Sequence, residues 1–157
     1  MPQAGFLFSI AGLSFTLVGF SGLIAALGRD GQRTSLLVYR LRQIPEMALA
    51  SALIALISIP LVDLAGSPML AIRIASGLAF AFTAGHVGLL IVRMRSQTVQ
   101  LRLSNWVLAA LIDVGVLAVA VLGIATAEAS VYEWLLVLLV TRPAIAFVIA
   151  LNDVMSR

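Results

Sequence analysis

The chain has 157 residues, of which 62% are hydrophobic and 11% charged, and its mean hydropathy is +1.12; soluble domains lie nearer half apolar and a quarter charged. Lipid is therefore the solvent these residues are built to meet. All ten basic residues are arginines, the net charge is +3 and cysteine is absent, which excludes disulfides, thiolate nucleophiles, zinc–thiolate and iron–sulfur sites, and lysine-based covalent catalysis. Membrane topology accounts for the arginines, so no nucleic-acid partner is implied.

Five apolar runs, 5–27, 44–64, 69–92, 106–125 and 131–151, each approach the roughly 20 residues that a spanning helix needs. The expected fold is all-α: a single polytopic bundle of five transmembrane helices over residues 1–157. The first run lacks a preceding basic region and a small-residue cleavage site, so it is read as a retained helix and not a signal peptide. Within it, Gly5, Ser9, Gly12, Thr16 and Gly19 alternate steps of four and three and line one helical face. Such a face is a helix-packing surface between transmembrane helices or, at a symmetry axis, a pore lining. The run Thr16-Leu17-Val18-Gly19-Phe20-Ser21-Gly22 resembles the T-V-G-Y-G filter of potassium channels only if Leu17 and Ser21 are deleted. It lies inside a continuous apolar span, where an unpaired backbone is too costly, and that reading is set aside.

The connection 28–43 mixes Leu36, Leu37 and Leu41 with Arg29, Arg33, Arg40 and Arg42. It reads as an interfacial helix that enters the second span through a bend at Pro45, with Arg33, Arg40 and Arg42 meeting lipid headgroups. Topology and anchoring explain it more simply than a dedicated lipid sensor. Ser67 and Pro68 mark the N-cap and first turn of the third helix, Ser104 or Asn105 caps the fourth, and Ser130 with Glu133 forms a capping-box pattern for the fifth.

Arginines crowd the first connection and, as Arg93, Arg95 and Arg102, the third; the second and fourth have none. The positive-inside rule makes the basic connections cytoplasmic, with the N-terminus outside and the C-terminus inside a bacterial inner membrane. Tyr39 and Trp106 then fall at the inner interface, and Tyr132 and Trp134 at the outer one.

Ionisable groups at membrane depth are costly and mark function by default. At 1.5 Å per residue, His86, Asp113 and Arg142 lie roughly 9, 10 and 14 Å from the inner ends of their helices, with Glu46 at the inner rim of the second. These four are read either as a buried polar cluster that fixes helix register or as the lining of an ion pathway. Asp63 and Arg73 form a candidate outer pair across the turn at 66–68. Pro143 and Pro60 free the carbonyls of Leu139 and Leu56 one turn earlier.

Enzymatic signals are poor. A single histidine rules out multi-histidine metal or haem ligation within one chain, no serine has a base beside it, and no cofactor or metal site is expected. The expected function is a homo-oligomeric ion channel or transport-related protein in contact with membrane lipids. The alternative is a non-catalytic subunit or scaffold that packs against other membrane subunits.

Overall fold

The computed structural model describes residues 2–27, 35–95 and 103–155. They form five helices: α1 (Ala4–Leu27), α2 (Ser35–Ala65), α3 (Pro68–Arg95), α4 (Leu103–Thr126) and α5 (Ala129–Met155). Every one is long and apolar enough to cross a membrane, with candidate spans of 21, 24, 25, 20 and 24 residues. An apolar chain in hydrocarbon must satisfy each backbone N–H and C=O within its own segment, and a helix does so.

The helix boundaries refine the sequence reading. Helix α2 runs unbroken from Ser35 past Pro45 and Pro60, so the segment before Pro45 joins the second span in one continuous helix. Residues 28–34, with Arg29 and Arg33, and residue Arg102 lie outside the described residues, as do the side chains of Tyr39, Arg40, Arg93, Arg95 and Trp106. Between α2 and α3 the chain turns in two residues. Gly66, at φ 64, takes the left-handed conformation that closes a helix and that glycine adopts without steric cost. Ser67 then sits at the N-cap as expected, its carbonyl accepting from the Ala71 N–H at 3.0 Å. The fifth helix starts earlier than its capping-box pattern implied. The Tyr132 N–H donates to the Glu128 carbonyl at 3.2 Å, which puts Glu128 at the cap and Ser130 inside the first turn. Ser104 and Asn105 likewise lie inside α4, which begins at Leu103.

Neighbouring helices run antiparallel. The start of α2 meets the end of α3 at Gln43 and His86, and the start of α3 meets the end of α4 at Ser76 and Gly123. Helix α5 is the hub, touching all four others, whereas α1 packs only on α2 and α5. Small residues make these approaches possible. Ala48, Ser51, Ala52, Ala55 and Ser58 form the buried face of α2, and Ala71, Ala75, Ser76, Ala79 and Thr83 that of α3. Closest is the crossing at Gly123, where an added Cβ would stand 2.5 Å from Ser76 Oγ and 3.2 Å from Ser76 Cβ.

The bundle is inverted relative to a water-soluble one. Serines, Thr83, Asp113 and Arg142 are inside, while Phe8, Phe15, Leu53, Leu111, Val114 and Val148 stand at least half exposed. Exposed apolar surface on this scale is foreign to soluble monomers and natural against lipid. Tyr132, expected at an interface, is fully buried; its hydroxyl donates to the Ile54 carbonyl of α2 at 2.9 Å, the partner a buried phenol requires. Trp134 remains on the surface.

Candidate functional site

Helix α5 carries Arg142 near its midpoint, and α4 brings Asp113 against it. Arg142 Nη1 lies 2.7 Å from Asp113 Oδ1, with only 9% and 6% of the two side chains exposed. Asp113 Oδ1 nevertheless has no hydrogen bond of good geometry: the guanidinium N–H does not point along the contact. At Oδ1 the contact is one of charge.

Pro143 follows the arginine directly. Its missing N–H leaves the Leu139 carbonyl without the usual helical donor, and Ser51 of α2 supplies one. The Ser51 hydroxyl hydrogen is shared between the Met47 carbonyl at 2.9 Å and the Leu139 carbonyl at 3.2 Å. The proline thus ties α5 to α2 one turn from the charged pair.

Three voids meet at the pair. One of about 70 Å³ runs among α2, α3, α4 and α5 and is walled by aliphatic groups such as Leu108, Ile112 and Ile145, with Gln43 and Arg142 its polar residues. Another of about 110 Å³ lies between α3 and α4, walled by Val87, Ile91, Val114 and Leu117, with Asp113 as its single polar residue. Both include Leu90 and Ala109. A small pocket of about 10 Å³ is lined by Ser51, Thr83, Asp113 and Arg142. Each member of the ion pair thus lines a void of its own, and both line the small pocket.

Of the four residues grouped from the sequence, the structure joins two. His86 is half-buried and belongs to a second unit, its Nε2 2.8 Å from Gln43 Nε2 and its ring against Phe82 at 6.4 Å. Gln43 also lines the void that reaches Arg142. Glu46 faces outward, bonded to Arg42 Nε at 2.9 Å with side chains 48% and 73% exposed. An i,i+4 pair this open contributes little to stability. Asp63 and Arg73 are both exposed, and no ion pair joins them.

The stripe on α1 is wholly outward. Gly5, Ser9, Gly12, Thr16 and Gly19 are all exposed, and a Cβ built on any of the three glycines meets nothing within 4 Å. The bundle instead takes the opposite face, Leu7, Ile10, Ser14, Leu17 and Ser21. Ser9 and Thr16 return their hydroxyls to the carbonyls of Gly5 and Gly12 at 2.8 and 2.9 Å. Sequence reading missed Gln43, Ser51 and Thr83. Ser51 was detectable, because a carbonyl freed by Pro143 calls for a donor on a facing helix.

Comparison with protein-family models, with curated proteins and with solved structures finds no match.

Proposed function

We propose that this chain is a small, non-enzymatic, transport-related membrane protein that works as a homo-oligomer, with the Asp113–Arg142 pair at the centre of its route. The observation that carries this reading is the buried pair whose two members each line a void, Arg142 one and Asp113 the other. A pair kept only to fix helix register gains nothing from cavities around it. A pair that opens and closes a passage needs them, because a permeating group must have somewhere to wait on either side.

The bacterial inner membrane is the proposed location, with the α1–α2 and α3–α4 connections cytoplasmic, the N-terminus outside and the C-terminus inside; arginine placement supports this. Membrane lipids are the immediate partners. The outward stripe of α1 supports self-association, since small residues let two helices approach closely in lipid.

The test is flux from proteoliposomes holding wild type and Asp113→Asn. Retained assembly with altered flux is the expected result. Silence of the wild type across anions, cations and applied voltages would remove the transport reading. The same α1 face favours a second reading, a non-catalytic subunit of a larger membrane complex, and persistent co-purification with a different chain in place of a ring of identical ones would establish it.

A further inference from the structure

We propose that Arg142 is the binding point for a carboxylate, and that the carboxylate enters together with a proton that Asp113 accepts. This deepens the transport reading by naming its substrate class.

The void of about 70 Å³ has aliphatic walls and one cationic residue, which suits a group with one anionic head and a short apolar body. A guanidinium carries five N–H donors in a planar fork that matches a carboxylate with two parallel bonds. The Asp113 Oδ1 contact with it, at 2.7 Å, lacks hydrogen-bond alignment. An incoming carboxylate approaching from the cavity competes with Asp113 for the guanidinium.

Charge balance sets the stoichiometry. Arg142 and Asp113 are neutral together; a second carboxylate would leave one uncompensated negative charge in an apolar bundle, which is prohibitive. Protonation of the Asp113 carboxylate restores neutrality: Arg142 pairs with the guest, and Asp113 holds the proton as a neutral acid. One proton enters with each anion, carried in by the guest acid itself: its O–H bond breaks, an O–H bond forms on Asp113, and no covalent bond to carbon changes. The groups facing Asp113 leave it this role. From α5 comes Arg142, from α3 the uncharged Thr83, and from α2 the uncharged Ser51. His86 on α3 is engaged with Gln43, and Glu46 on α2 with Arg42. Helix α1 does not touch α4.

The full chain in phosphatidylcholine nanodiscs is titrated with acetate and with octanoate by calorimetry, in two buffers of different ionisation heat. One proton taken up per anion is expected, with apparent affinity falling as pH rises by on the order of tenfold per pH unit. Saturation by acetate alone marks a free small acid as the source; octanoate binding at least tenfold tighter marks an acyl chain drawn from the bilayer. Asp113→Asn should bind with no pH dependence, because it leaves a permanent cation. The double variant Asp113→Asn/Arg142→Gln removes both charges without stranding either and should not bind. Proton-independent binding by wild type, or unchanged binding by the double variant, overturns the proposal. Flux of other solutes without carboxylate binding sinks it and spares the transport reading; proton-linked binding without any flux does the reverse.

Discussion

A single methyl group probes the tightest point of the bundle. Gly123→Ala puts a Cβ 2.5 Å from Ser76 Oγ; turning the serine away relieves that contact but not the one at 3.2 Å with Ser76 Cβ. We expect a loss of about 1–3 kcal/mol, typical of overpacking, measured by unfolding in mixed micelles. Ser76→Ala is the control: its hydroxyl is buried without a partner, so removal should be neutral or slightly stabilising. Ser51→Ala strands the Leu139 carbonyl and should lose about 0.5–1.5 kcal/mol, the range for interhelical hydrogen bonds in membranes. Asp113→Asn takes the carboxylate away from Arg142 and should lose about 3–5 kcal/mol, with the double variant recovering most of it. If the double variant is no more stable than the single one, the ion-pair account of this site fails.

Among the elements, α1 and α5 have opposite roles. Helix α5 makes contact with every other helix and carries Arg142, Pro143 and the buried Tyr132; changes on it propagate to the whole bundle. Helix α1 rests on two neighbours and turns its small residues away from both. Gly12→Leu should therefore leave the stability of one copy within about 0.5 kcal/mol, as for other surface changes, while weakening association between copies. Light scattering in detergent reads the second quantity. A variant that unfolds the monomer would show that this face packs within one copy, and one that leaves the assembly mass unchanged would show that it has no role between copies.

For the whole molecule, orientation is open to a clean test, because the native chain contains no cysteine. A cysteine placed at residue 31 should be labelled only after the membrane is breached, and one at the exposed Asp63 from outside intact cells. Reversed labelling would refute the orientation drawn from the arginines.

Helix number and approximate span limits were legible because hydrocarbon demands long uninterrupted apolar runs, a local property of the chain. Turn chemistry was legible at Ser67 and Pro68 and misleading at Ser130, where the left-handed Ala127 at φ 54 ends the turn early. The order of residues also foretold the small-residue stripe on α1 and the carbonyl freed by Pro143, since both follow from spacing and covalent structure. Which helix is the hub, which face of α1 looks outward, that Arg142 meets Asp113 while Glu46 turns to Arg42, and that Ser51 serves the Leu139 carbonyl were decided only in three dimensions. The reason is physical: a transmembrane segment is apolar all round, so its periodicity does not say which face meets protein and which meets lipid, and only the mutual fit of five helices makes that choice.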